Sequence, residues 1–291
     1  MTTHAPSTPN PSLRKFAVIG NPVAHSRSPF IHQAFAAQTG MSLVYDRLCA
    51  PLDNFAGTVK HFFADGGVGL NVTVPFKEQA WQTAQDGLSE RARVAGAVNT
   101  LWMQDGQLKG CNTDGIGLLN DLERQGQNLA GKRILLVGAG GAAKGVVLPL
   151  LETGCARLHV VNRTVEKATA LQTAMTDAAP RYTASLSAGG LDSAEGHWDI
   201  IINATSSSID DKAPALKGAH FAPNALGYDM FYATRPTAFM RWAKDAGAAQ
   251  VCDGLGMLVG QAAVSFQIWN GVLPDVAPVL AALRAQLHAA Q

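Results

Sequence analysis

The stretch Arg133-Ile134-Leu135-Leu136-Val137-Gly138-Ala139-Gly140-Gly141-Ala142-Ala143-Lys144-Gly145 constrains the fold of this chain more than any other. An apolar strand runs straight into a glycine-rich turn and a helix follows, in the form G-x-G-x-x-A. In such a pattern Gly138 permits the tight turn and Gly140 lets the backbone come close to a phosphate. Gly141 and Ala142 open a helix whose free N–H groups and positive dipole end face an anion. Ala143 keeps helix and strand close. Taken alone, a match of this kind is often a plain strand-to-helix turn. Here strand, turn and helix stand in the order that a dinucleotide pyrophosphate requires, which predicts a Rossmann-type α/β unit.

The 291 residues suffice for two domains of ordinary size. A formal net charge of +1 with 15% charged residues gives no electrostatic reason to expect nucleic acid or an anionic membrane. Attraction for anions must therefore be local. Cys49, Cys111, Cys155 and Cys252 lie far apart with no C-x-x-C pair, which speaks against zinc and disulfides and suits a reducing cytoplasm. No run approaches the roughly 18 apolar residues that span a bilayer. Residues 1–14, rich in Thr, Pro, Ser and Asn, predict a short disordered tail and lack the apolar core of a secretion signal.

Upstream of the glycine turn, Phe16 to Gly20 predicts a short strand, and His25-Ser26-Arg27-Ser28-Pro29 follows. Pro29 suits the first helical position and Ser28 the cap, so a helix is predicted from about Pro29 to Thr39, stopped by Gly40. Capping alone accounts for Ser28. Ser26 stands too early to cap, and two hydroxyls one residue apart in such a loop suit a carboxylate or the hydroxyls of a small polar ligand. His25 is a base by type, although a lone loop histidine is more often a surface or packing residue. Leu43 to Cys49 reads as a strand, Leu52 to Ala64 as a helix, and Val68 to Val74 as a third strand, with Pro75 starting the next helix. Ligands collect at the carboxyl ends of strands in such β-α-β units, and Thr73 and Lys77 sit at one. A first-turn lysine is ordinarily solvated. Beside a positive helix end it is disfavoured, so an acidic partner is expected. Asp105-Gly106 signals a hairpin between Ala97–Met103 and Gln107–Cys111. The return leads to Asn112-Thr113-Asp114-Gly115 and a helix from about Ile116 to Arg124. Asp114 either caps that helix or partners Lys77. Asn99 either bonds locally at the sheet end or donates to a ligand hydroxyl.

The domain switch is placed between Asn112 and the polar connection Gln125–Lys132. Beyond the turn, a helix is predicted to about Glu152, then a strand Leu158–Val161 closed by Asn162-Arg163-Thr164. About 20 residues past the glycines an NAD site carries Asp or Glu for the ribose hydroxyl. Arg163 stands here instead, with Lys167 one helical turn on. A guanidinium pairs with a 2′-phosphate that a carboxylate would repel, so NADP is expected over NAD. Asp199 to Ser206 reads as a strand whose polar end, with Thr205, suits the nicotinamide side. Ala225 to Asp229 feeds Met230-Phe231-Tyr232, where Tyr232 is either packed or facing a cleft. Gly254 begins a helix to about Trp269, in which the amide of Gln261 lies among apolar residues and requires partners. A last helix follows Pro274.

Together these segments resemble the shikimate dehydrogenase family, NADP-dependent enzymes of aromatic amino-acid (chorismate) biosynthesis. The likeness is carried by Ser26-Arg27-Ser28-Pro29, Asn71-Val72-Thr73-Val74-Pro75-Phe76-Lys77, Ala97-Val98-Asn99-Thr100, Asn112-Thr113-Asp114-Gly115, Gly138 to Ala142, Asn162-Arg163-Thr164, Tyr228 to Tyr232 and Asp253 to Leu258. It covers Phe16 to Pro278. The resemblance implies a discontinuous α/β substrate domain with a mainly parallel sheet (15–113 plus 254–291) and an inserted Rossmann NADP domain (114–253). By likeness, Ser26, Ser28, Thr73, Asn99, Asp114, Tyr232 and Gln261 would bind shikimate or 3-dehydroshikimate, with Lys77 and Asp114 as the catalytic pair. Ala139, Gly140, Gly141, Ala142, Ala143, Asn162, Arg163, Thr164, Lys167, Thr205, Met230 and Gly254 would hold NADP. A monomer or homodimer is expected. Two departures stand out: Lys167 where the family often has arginine, and Ser208 where a glycine is common. The alternatives are a quinate/shikimate dehydrogenase with relaxed NAD/NADP use, and a non-catalytic NADP-binding sensor on the same fold.

Overall fold

The computed structural model describes residues 13–289. In chain order the elements are β1 (Arg14–Gly20), α1 (Ser28–Thr39), β2 (Leu43–Cys49), α2 (Phe55–Ala64), β3 (Gly67–Val72), α3 (Lys77–Thr83), α4 (Glu90–Ala95), β4 (Thr100–Gln104), β5 (Gln107–Cys111) and α5 (Asp114–Arg124). They continue with β6 (Arg133–Val137), α6 (Gly141–Glu152), β7 (Arg157–Val161), α7 (Val165–Ala178), β8 (Leu186–Gly189), β9 (Gly196–Asn203), β10 (Ala219–Asp229), α8 (Ala238–Asp245), β11 (Gln250–Asp253), α9 (Leu255–Asn270) and α10 (Val276–Ala289).

Among the described residues the strands form two sheets. The first has the order β2-β1-β3-β4-β5, parallel except where β4 runs against both neighbours. The second has the order β11-β10-β9-β6-β7-β8 and is parallel throughout, the doubly wound arrangement that the glycine turn predicts. Its central strands are buried on both faces, which is why Ile134 to Val137 and Ile200 to Ile202 read as continuous apolar runs.

The helices between the sheets position the cleft. α5 packs on both α6 and α9, and small residues let it do so: a Cβ on Gly117 would lie 2.6 Å from the backbone nitrogen of Gln261 and 2.7 Å from the carbonyl oxygen of Met257. Buried Asp121 of α5 accepts from Tyr228 Oη of β10 (2.6 Å) and from Arg124. Asp253, at the end of β11, accepts the N–H of Leu255 and is gripped by Arg284 of α10, which fixes where α9 begins.

Several predicted boundaries move. Helix α1 starts at Ser28, so Ser28 is not its cap; the hydroxyl of Ser26 accepts the Ser28 N–H instead (3.3 Å). Pro75 does not open a helix. It follows a cis peptide, in a turn closed by Phe76 N–H on the Thr73 carbonyl (3.0 Å), and α3 begins at Lys77. Asp114 is the first residue of α5 and not its cap; its own N–H is taken by Asn112 Oδ1 (3.0 Å). Of the predicted tail, residues 1–12 lie outside the described residues. Arg14 is the first residue of β1, bonded to Asn270 and the Trp269 carbonyl. The hairpin turn is as expected, with positive φ at Asp105 and Gly106. Helices α4, α7 and α8 and strands β8 and β11 have no counterpart among the predicted spans, being short or weakly patterned.

Candidate active site

Strand direction gathers the chemistry at one end of each sheet. In the first, Ser26 and Ser28 follow β1, Thr73 follows β3, Asn99 precedes the antiparallel β4, and Asp114 follows β5. In the second, the glycine turn follows β6, Asn162 to Thr164 follow β7, Thr205 follows β9, Met230 follows β10 and Gly254 follows β11. The two sets face each other across a cleft of about 590 Å³. Ser26, Ser28, Thr73, Lys77, Asn99, Asp114, Ala142, Met230, Tyr232, Gly254 and Gln261 all line it. Ala139, Gly140, Gly141, Ala143, Asn162, Arg163, Thr164, Lys167 and Thr205 do not. They occupy the adjoining edge, where Val137 pairs in register with Val161 on one side and Asn203 on the other.

The expected acid beside Lys77 is Asp114: Nζ lies 2.5 Å from Oδ2, with the side chains 19% and 8% exposed. The carboxylate answers both the ammonium and the positive start of α5. Its other oxygen accepts from Asn99 Nδ2 (2.8 Å), which also reaches Gln261 Oε1 (3.2 Å). The Gln261 amide finds its further partner in the Leu258 carbonyl (2.8 Å).

Beneath this lies a buried hydrogen-bond ladder that the sequence does not announce. Thr100 Oγ1 donates to Asn99 Oδ1 (2.8 Å), Asn71 Nδ2 donates to Ser265 Oγ (3.0 Å), and Asn71 Oδ1 accepts from Tyr45 Oη (2.6 Å) and meets His32 Nε2 (3.0 Å). Burial pulls the His32 imidazole down to about 3, against the hydrogen bond with Asn71, so it is neutral at ordinary pH. The ladder fixes the Asn99 amide, which in turn fixes Asp114. Asn71, Arg27, Phe231 and Met257 line the cleft without having been singled out. Each stands in a segment that carries the family likeness, and Arg27 is further marked by its place between two candidate serines. Tyr232 is half-buried on the cleft wall, and burial pushes its phenol up, while nearby Arg27 pulls it down.

At the other edge, Gly138 has φ +115°, a conformation closed to side chains, and brings Ala204 and Thr205 against the turn. No Cβ contact lies within 4 Å of Gly140 or Gly141, so the start of α6 opens on free space with its first-turn N–H groups outward. Arg163 and Lys167 are exposed and, among the described residues, neither side chain is engaged in an ion pair or hydrogen bond. Free amides, a glycine cradle and unpaired cations with no acid at the β7 end fit a phosphorylated dinucleotide. Ser208 is buried and donates to Asp229 Oδ2 (2.6 Å), so serine at this position ties its loop to β10. Asp229 also accepts from Thr237 (2.6 Å), Asn203 (3.1 Å) and the Phe231 N–H (3.1 Å). Burial raises its pKa in spite of these donors.

The chain matches the shikimate dehydrogenase substrate binding domain over residues 18–101, shikimate / quinate 5-dehydrogenase over 121–210, and the shikimate 5'-dehydrogenase C-terminal domain over 254–284. The shikimate dehydrogenase (NADP(+)) of Bordetella avium is 60% identical to it, over 97% of this chain and 99% of its own. The chain belongs to the shikimate dehydrogenase family. That of Hahella chejuensis is 54% identical, over 92% of this chain and 98% of its own. Among solved structures, the shikimate 5-dehydrogenase from Thermus thermophilus, in complex with NADP(H) and shikimate, superposes with a TM-score of 0.82 at 34% identity, over 94% of this chain and all of that one. The fold of the family also serves a 5-ketofructose reductase of Gluconobacter, at a TM-score of 0.81 and 29% identity. Among the described residues no helix is long and apolar enough to cross a membrane.

Proposed function

We propose that this chain catalyses the reversible, NADPH-dependent reduction of 3-dehydroshikimate to shikimate. The observation that carries the reading is the Lys77–Asp114 pair on the wall of a cleft that also holds the serine pair and the start of α6. When bound, the reduced nicotinamide supplies the hydride that converts the C3 ketone into an alcohol. The protein must place the substrate, stabilise negative charge growing on the C3 oxygen, and deliver one proton to it. Lys77 Nζ is the donor for both tasks and takes the proton back in the oxidative direction. Asp114 keeps the ammonium aimed and compensates its charge, and Asn99 keeps Asp114 from rotating. Ser26, Ser28, Thr73, Asn99, Tyr232 and Gln261 hold the substrate's carboxylate and hydroxyls. The first-turn amides of α6 with Ala139 to Ala143 take the pyrophosphate, Asn162 to Thr164 with Lys167 take the 2′-phosphate, and Thr205, Met230 and Gly254 line the nicotinamide side.

Residues 15–113 with 254–291 then form the substrate domain, and 114–253 the cofactor domain. The four cysteines, all unpaired, support a cytoplasmic setting. The exposed large apolar side chains are scattered from Leu52 and Met103 to Val165 and Leu273, which supports a monomer or a homodimer of modest interface. The test is absorbance at the reduced-cofactor band with shikimate and quinate, each with NADP and with NAD. Shikimate with NADP is the pair expected to react fastest. Preference for quinate or NAD would move the chain to the broader dehydrogenase reading, and no turnover with any pair would leave only a cofactor-binding protein.

A further inference from the structure

We propose that Arg27 is a specificity-determining residue of this cleft, its guanidinium recognising the substrate carboxylate that the flanking serines receive. The inference rests on the shikimate reading above and deepens it. Charges lining the cleft are few. Lys77 and Asp114 neutralise each other. Asp253, the acid that shares the surroundings of Tyr232 with Arg27, is gripped by two nitrogens of Arg284. His25 lines the same end and adds no negative charge. Arg27 is half-buried in the cleft wall, and among the described residues its guanidinium has no ion-pair or hydrogen-bond partner. Among the described residues the cleft therefore carries one uncompensated cation, and it stands at the serine end.

The loop that carries it is fastened from outside. Arg47 donates from Nε (3.1 Å) and Nη2 (2.7 Å) to the Ser26 carbonyl oxygen, and Ser26 Oγ donates to Ser28 Oγ (3.2 Å). Two arginines thus flank one short loop with different duties. Arg47 is committed to a backbone oxygen, whereas Arg27 is left with all its donors. A partly desolvated guanidinium without a counter-charge gains less from the hydroxyls of a neutral polyol than from a carboxylate, which adds opposite charge and a bidentate fit. Hydroxyls alone favour a carboxylate over a neutral ester only through the strength of their own hydrogen bonds, and a cation beside them widens that preference. The added charge makes the cleft choose the acid.

The test uses the full chain at saturating NADP, with shikimate and its methyl ester as substrates, in wild type, Arg27→Gln and Arg27→Lys. Arg27→Gln is expected to raise KM for shikimate about 10- to 100-fold with kcat changed less than about threefold, as loss of one charged hydrogen bond predicts. The same variant should alter KM for the ester by less than about threefold, and Arg27→Lys should restore much of the loss for the acid. In wild type, kcat/KM for shikimate should fall as salt rises, with a flatter slope in Arg27→Gln. Equal losses for acid and ester would overturn the proposal, because a loop that merely misfolds cannot tell them apart. So would a rise in KM for NADP in place of shikimate. Should wild type fail to oxidise shikimate, the functional reading falls; calorimetric binding of acid and ester to the same three proteins then decides the role of Arg27 separately.

Discussion

On the substrate wall of the cleft, polar side chains already have protein partners: Lys77 is held by Asp114, Asp114 by Asn99, and Asn99 by Thr100 and Gln261. On the cofactor wall Asn162 and Thr205 are likewise tied to the protein, but the groups that suit phosphates are open. The α6 amides face open space, and Arg163 and Lys167 stand exposed with nothing to bind. The contrast fits the roles proposed for the two walls. A proton donor works only if aimed before the substrate arrives, so its supports are internal and buried. A phosphate site works by leaving donors unsatisfied until the ligand completes them. Arg27 belongs to the second kind although it stands on the first wall.

The largest effect should come from the aimed donor. Lys77→Ala is expected to lower kcat by about 10²- to 10⁴-fold, measured in the direction of shikimate oxidation. Turnover within about threefold of wild type would remove Lys77 from the chemistry. The unsatisfied wall should respond in binding: Arg163→Ala should raise KM for NADP about 10- to 100-fold and leave KM for NAD nearly unchanged. An equal loss for both cofactors would show that Arg163 does not read the 2′-phosphate.

A smaller effect tests the seam between the walls. Gly117→Ala drives a methyl group into the α9 backbone at Gln261 and should cost about 1–3 kcal/mol, seen as a lower Tm, with a raised KM for shikimate as Gln261 shifts. An unchanged Tm would mean that the α5–α9 contact yields easily. A pH-dependent change is expected in the ladder below the cleft. The imidazole of His32 titrates near 6.5 when unfolded and at about 3 when buried, so folding excludes its proton. Its contribution to stability is complete above pH 6.5 and is lost as pH falls from there through about 3. His32→Phe keeps a ring against Tyr45, which it stacks on at 4.2 Å, and should flatten the decline of Tm between about pH 7 and 4. An undiminished slope would assign that decline to other groups.

How much of this was legible beforehand varies with the kind of signal. The glycine turn, the Asp105-Gly106 hairpin and the missing acid after β7 were readable because each depends on a local backbone or charge requirement. The need for an acid beside Lys77 was readable from the helix dipole, and Asp114 was its candidate. Pro75 was misplaced because a proline near a loop signals a helix start without saying whether the chain must first complete a turn, and Ser28 because a proline fits the second helical position as well as the first. The Asn71 ladder was invisible as a ladder: its members come from α1, β2, β3, β4 and α9, and although Asn71 and Thr100 stand in segments that carry the family likeness, nothing local pairs them.

The amino-acid sequence by itself determined the alternation of the principal strands and helices, the glycine cradle, the preference for a phosphorylated cofactor and the types of group available for proton transfer. Those depend on neighbours within a turn or two. Which oxygen of Asp114 meets Lys77, which amide holds the other, and that Arg27 is left without a counter-charge were decided only when the two sheets closed on α5 and α9. Pairing between distant side chains is set by packing, because a partner far along the chain leaves no local trace.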